Sequence, residues 1–193
     1  MWTKTLLATF SLLFSLAIYI PYYHGIWKKE TKPHLLSWLT WFLLTALGFV
    51  LSYSAGGGLG SFTFALQSFL SLTIVIYALY KKEKNIVRFD WVIFGFAIII
   101  LLFYLLTKNA LWSVIFAGSI DCLGYVPTFR KSYLKPFSEP IATHALACAS
   151  WIFSVGALSA YTPTTLIYPL SLVFTTAIFV IFLFVRQKIT KKI

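Results

Sequence analysis

Seven apolar runs, each long enough to cross a bilayer, dominate the chain: about 5–24, 35–53, 60–80, 91–107, 110–130, 141–160 and 164–185. A hydrocarbon core of roughly 30 Å takes about 17 to 25 helical residues. Inside lipid, backbone polar groups must be satisfied within a helix or a closed barrel, and uninterrupted runs of this length match helices rather than short alternating strands. The expected fold is therefore an all-α membrane protein of seven transmembrane helices. Only 11% of the 193 residues are charged and 60% are hydrophobic, against about 25% charged in soluble proteins. A water-soluble globular domain is excluded.

The net charge of +11 finds its explanation in where the 16 basic residues fall. Lys28, Lys29, Lys32, then Lys81, Lys82, Lys84, Arg88, then Arg130, Lys131, Lys135, and finally Arg186, Lys188, Lys191, Lys192 all lie on one side of the seven-span topology. Lys4 and Lys108 are the two on the other. By the positive-inside rule the crowded side is cytoplasmic, which sets the N-terminus outside and the C-terminus inside. Loops facing anionic headgroups account for the charge, so no nucleic-acid partner is expected. Lys4 followed by an apolar run imitates a signal peptide, but no small-residue cleavage site follows, and the first helix is expected to stay. Cys122 and Cys148 fall inside spans and support neither a disulfide framework nor a zinc site.

The chain also resembles itself. Tyr19-Ile20-Pro21 ends the first run and Tyr125-Val126-Pro127 the fifth, an offset of 106, and each is followed by basic residues and a Lys-Pro pair, Lys32-Pro33 and Lys135-Pro136. Gly48 and Tyr53 match Gly156 and Tyr161 at an offset of 108, and Ala65-Leu66 matches Pro169-Leu170 at 104. A repeat of three helices would invert its second copy unless one extra crossing intervened, and the fourth run supplies that crossing. Three units follow: residues 1–85 as a first three-helix bundle, 86–108 as a linker helix, and 109–193 as a second bundle parallel to the first. Parallel repeats about an axis along the membrane normal are a transporter design with the solute path between the repeats.

On these residues the chain resembles the SWEET, semiSWEET and PQ-loop superfamily, which shares the three-one-three plan and the same placement of termini. The resemblance is carried by Pro21 with Lys29, Thr31, Lys32 and Ser37 downstream, and by Pro127-Thr128-Phe129 with Lys131-Ser132 downstream. It covers nearly the whole chain and implies alternating access through a central cavity, with Pro21 and Pro127 as hinges of a cytoplasmic gate. Tyr22 and Thr128 stand where the family has Gln after Pro, and no Asn occurs in the third or seventh run, so a sugar is not specifically implied.

Among single residues, Asp121 is the most informative. It sits about eleven residues into the fifth run, where an Asp costs about 2.5 to 3.5 kcal/mol on insertion scales, so it should face protein or water. It is a candidate proton or substrate contact, with a hydrogen-bonded helix tie as the plain alternative. Gln67 and Ser71 share one helix face at i and i+4, and the repeat sets Ser171 and Thr175 at the same positions of the seventh helix. These four are candidate cavity-lining residues, against a role as interhelical glue. Trp38 and Trp41, one turn apart, could form a stacking wall for a ring-shaped solute, or anchor the helix at the interface; vitamin transporters of the PnuC type share the plan and use Trp-rich walls. Trp151 is a weaker candidate of the same kind. His144, equivalent to Trp38 at offset 106, is a candidate proton contact or a structural histidine.

No metal-ligand cluster, nucleophile elbow or paired carboxylates is visible, so neither an enzyme nor a cofactor or metal is expected. The expected function is transport of a small neutral or weakly polar solute across the plasma or inner cell membrane. A non-transporting membrane receptor, or an assembly or sorting protein, on the same fold is the alternative. Expected partners are that solute, the bilayer and, as an open alternative, further copies of the chain.

Overall fold

The computed structural model describes residues 2–28, 33, 35–81, 88–134, 136–138 and 140–191. Lys29, Thr31, Lys32, Lys82, Lys84, Lys135 and Lys192, on which part of the loop pattern rests, lie outside the described residues. The described chain is all-helical: α1 (Trp2–Trp27), α2 (Leu35–Ser54), α3 (Phe62–Lys81), α4 (Arg88–Thr107), α5 (Ala110–Gly124), α6 (Val126–Leu134), α7 (Ile141–Ala157) and α8 (Pro163–Thr190), with 3-10 turns at Gly58–Ser61 and Pro136–Ser138. Five helices, α1 to α4 and α8, are long and apolar enough to cross a membrane, while α5 and α7 are shorter apolar helices. This is the make-up of a multi-pass membrane protein.

The helix expected over 110–130 is interrupted. At 1.5 Å per residue α5 reaches only about 22 Å, and at Tyr125 the backbone tightens, its N–H meeting the carbonyl of Cys122 at 3.1 Å. Pro127 has no N–H to give the carbonyl four residues earlier, so the ladder cannot run on regularly. The chain resumes as α6. Pro21, by contrast, lies inside an unbroken α1. The sixth run stops at Ala157 rather than 160, and the seventh extends to Thr190 rather than 185.

Packing follows a simple order. Two helix groups are named by packing: α3 lies between α1 and α2 in the first, and α8 between α5 and α7 in the second. Between groups, α1 runs along α7, α2 meets α5 and α8 more lightly, and α4 lies against α2 and α5. The main core joins Leu44, Leu47, Leu51, Phe64, Val114, Ala117, Ile120, Trp151, Tyr168 and Leu172. A second core gathers Tyr19, Ile26, Trp38, Leu70, Ile74 and Val75.

At one end of the bundle the α2–α3 and α7–α8 connections are joined. Ser159 N–H donates to Gly57 O (2.9 Å) and Ala160 N–H to Gly56 O (3.1 Å), and Ser154 Oγ donates to Gly60 O at 2.8 Å. The tight path here needs glycine: Gly56 and Gly58 hold φ of 83° and 60°, where side chains with Cβ are strained. This is called the glycine end below.

Candidate functional site

An apolar helix buried against protein rather than lipid is marked by the side it keeps covered. On α1 that side is Ala8, Ser11, Ser15 and Tyr19, spaced three or four apart, so its small and polar residues turn inward. On α3 the matching stripe is Thr63, Gln67 and Ser71. The two stripes meet rung by rung: Ser11 Oγ to Thr63 Oγ1 at 2.7 Å, Gln67 Nε2 donating to Ser15 Oγ at 3.4 Å, and Tyr19 OH to Ser71 Oγ at 3.2 Å. Each rung joins residues 52 apart, so α1 and α3 run parallel and in register. Across the ladder, α7 contributes Ser150, whose Oγ lies 2.7 Å from Ser15 Oγ and whose carbonyl accepts from Ser11 Oγ at 2.7 Å. Ser11, Ser15 and Ser150 are fully buried.

α5 and α8 also touch along one side of each helix. Cys122 Sγ lies 3.0 Å from Thr175 Oγ1. One turn away, α5 and α8 approach so closely that a Cβ on Gly118 would come within 2.7 Å of Ser171 Oγ. These pairs are 53 apart, so α5 and α8 are also parallel. Gln67 and Ser71 thus face α1 from α3, and Ser171 and Thr175 face α5 from α8. An apolar notch of about 450 Å³ opens beside the Gly118–Ser171 approach, bordered by Ile115, Cys122 and Ile167.

Asp121 is 7% exposed, and its carboxylate accepts a hydrogen bond from the Tyr168 phenol. It faces protein. The Tyr168 ring continues into an aromatic layer, 4.9 Å from Phe64, which in turn lies 4.6 Å from Trp151. Trp151 is buried there and belongs to this layer, which fills the space between α2, α3, α7 and α8 toward the glycine end. Gly48 of α2 makes room for it.

Toward the opposite end, Trp38 is 8% exposed and gives its indole N–H to Tyr22 OH at 2.8 Å. Its ring lies 5.8 Å from Tyr19 and 5.0 Å from Trp41, the latter nearly perpendicular. Trp38 is thus packed within the bundle. Trp41 is 39% exposed and one edge of this corner is open. His144 packs its ring 4.5 Å from Phe179 and 6.1 Å from Tyr125, just beyond the α5–α6 break.

The structure thus brings Trp38, Trp41 and Ser71 together through Tyr19, while Gln67 joins the hydroxyl ladder. Asp121 joins Trp151 through Tyr168 and Phe64, and Ser171 and Thr175 line α8 beside α5. His144 stands apart with the second group. Sequence reasoning passed over Ser11, Ser15, Thr63, Ser150, Tyr19 and Tyr168. The repeat of Ser11, Ser15 and Tyr19 at i, i+4 and i+8 in an apolar run was the available signal. Among the described residues no three His, Cys, Asp or Glu side chains come together as metal ligands. Neither a protein-family model, nor a curated protein, nor a solved structure matches the chain.

Proposed function

We propose that this protein is a membrane transporter that moves a small neutral or weakly polar solute by alternating access between two pseudo-symmetric three-helix groups. In this proposal all seven apolar segments cross the bilayer, with the N-terminus and the glycine end outside and the C-terminus inside. The carrying observation is the shared register of the first and third helices in both groups, 52 apart in one and 53 in the other. A duplicated, parallel three-helix unit with a linker helix, as in SWEET-like proteins, accounts for both spacings at once. It also accounts for the order of packing, third helix central, in each group. Gln67, Ser71, Ser171 and Thr175 then border the solute path, Trp41 offers its open edge to the solute, and Asp121 is the proton or solute contact at mid-depth. Pro21 and the Tyr125–Pro127 break serve the inner gate. The membrane concerned is the cell membrane.

Purified protein in liposomes, given a panel of radiolabelled sugars, nucleosides, vitamins and amino acids, tests this. Uptake of one solute above empty liposomes is expected, with Asp121→Asn changing its dependence on pH. Uptake whose pH profile is untouched by Asp121→Asn removes proton coupling, and no uptake across the panel removes transport.

A second function, a non-transporting receptor or sorting protein, is favoured by one observation: the aromatic layer of Phe64, Trp151 and Tyr168 fills the middle of the bundle near the glycine end. A thermal-shift screen separates the two, because a solute that binds the native state raises the melting temperature by mass action. A transporter gains stability from its solute, whereas the receptor responds only to its protein partner.

A further inference from the structure

Lys4 and Lys108 are the two basic residues set against the charge asymmetry of the chain, and they are 104 residues apart. Both fall near the start of a helix, Lys4 in the first turn of α1 and Lys108 two residues before α5. Their surroundings differ. Lys4 Nζ donates to Leu158 O at 2.5 Å and Ser159 O at 3.2 Å, and the ammonium lies 5.3 Å from the centre of the Tyr161 ring. The first of these carbonyls ends α7, where the helix dipole favours a cation, and the ring face adds a cation–π attraction. Lys108 is exposed, holds a φ of 54° and lies 5.6 Å from the ring of Tyr104, on the helix that precedes it.

The contacts of Lys4 run from the first helix group to the second. So do the bonds beside it, Ser159 N–H to Gly57 O, Ala160 N–H to Gly56 O and Ser154 Oγ to Gly60 O. Together they seal the glycine end. A positive charge on that side needs a reason, because basic residues there act against the orientation that the rest of the chain sets. A clasp that must both hold and let go supplies one: an ammonium on two carbonyls is strong enough to close a seam and retains a hydrated alternative once released.

We infer that Lys4 is the latch of a gate at the outer end of the bundle, fastened in this conformation, while Lys108, the other basic residue on this side, takes no part in it. The inference rests on the transport proposal for the meaning of opening, but not for the clasp itself. Hydrogen bonds from a charged donor shift an equilibrium by roughly tenfold or more, so removing the ammonium lowers the ratio of closed to open outer end by at least about tenfold.

The test uses the full chain in nanodiscs with Cys122 and Cys148 replaced by alanine and spin labels attached at Tyr53→Cys and Thr164→Cys, one in each group at the glycine end. Pulsed spin-resonance distances are expected to show one short separation in the parent. Lys4→Met adds a longer one, Lys4→Arg keeps the short one, and Lys108→Met leaves it unchanged. A folded Lys4→Met protein with the parent's distances overturns the latch, as does an equal change in Lys108→Met. Should Lys4→Met not fold, Lys4→Gln, which keeps an amide donor without the charge, is read by the same two criteria. Liposome uptake on the same samples keeps the two claims apart. A distance shift with no solute moved counts against transport alone, and undiminished uptake with no distance shift counts against the latch alone.

Discussion

Gly48 sits where α2 passes the aromatic layer, and Gly48→Ala measures how firmly that layer is held. The added Cβ would lie 2.8 Å from Tyr168 Cε1 and 2.9 Å from two ring carbons of Phe64. Comfortable carbon contacts are about 3.5 to 4.0 Å, so the rings must retreat by roughly 0.6 to 1 Å. Neither ring has room: both are 1% exposed, Phe64 is packed at a tilt against Trp151, and Tyr168 is tied to Asp121. Overpacking of this kind costs about 1 to 3 kcal/mol, and the gain from replacing a helical glycine, about 0.5 to 1 kcal/mol, offsets part of it. A net loss of about 0.5 to 2 kcal/mol, spread over an unfolding entropy of roughly 0.4 kcal/mol/K for a chain this long, lowers the melting temperature by about 1 to 5 °C. Gly95→Ala is the control, because a Cβ there meets nothing within 4 Å, and it should raise the melting temperature by about 1 to 2 °C. Both are measured by thermal unfolding in one detergent, followed by loss of the monodisperse peak. Equal shifts of the same sign for the two substitutions would refute the tight aromatic layer. The double substitution Gly48→Ala with Phe64→Leu should recover part of the loss.

Three further outcomes follow from named contacts. Tyr168→Phe leaves the Asp121 carboxylate without its donor and should cost about 1 to 2 kcal/mol, while Asp121→Asn, which still offers an acceptor oxygen, should cost less; thermal unfolding ranks the two. Gly60→Ala drives a Cβ to 2.5 Å from Ser154 O and 2.7 Å from Leu158 N, and because backbone cannot step aside, the folded yield on size exclusion should fall further than for Gly48→Ala. Ser150→Ala removes a hydroxyl shared with Ser15 and Ser11 and should cost about 0.5 to 1.5 kcal/mol; an unchanged melting temperature would mean that the neighbouring hydroxyls fall back on their own helix carbonyls.

The helical class was legible because it depends on run length alone. The break at Tyr125 was not: residues 110–130 read as one apolar stretch, and the interruption depends on a single missing N–H at Pro127 acting against its local ladder. Trp38 and Trp41 could be paired from their spacing, yet how deeply Trp38 is packed is decided by a neighbour from another helix, here Tyr22. Gln67 and Ser71 were found from their i, i+4 spacing on one helix face. Ser150 was not, since a serine in an apolar helix satisfies itself on the preceding turn as easily as it reaches across to another helix. Asp121 was expected to face protein or water, but its partner Tyr168 lies 47 residues away, a separation no local pattern encodes.

The hydroxyl ladder also bears on how the protein is made. Ser11 finds Thr63 only after 52 more residues have been added, and Ser150 only after 139. At about 5 to 20 residues per second this is a wait of roughly 7 to 28 s before the last partner leaves the ribosome. During that interval α1 sits in or beside the insertion machinery with its polar side unmatched, held by its own backbone carbonyls. Assembly of the first helix is therefore completed by nearly the last, and a nascent chain truncated before α7 should be an early target for membrane quality control.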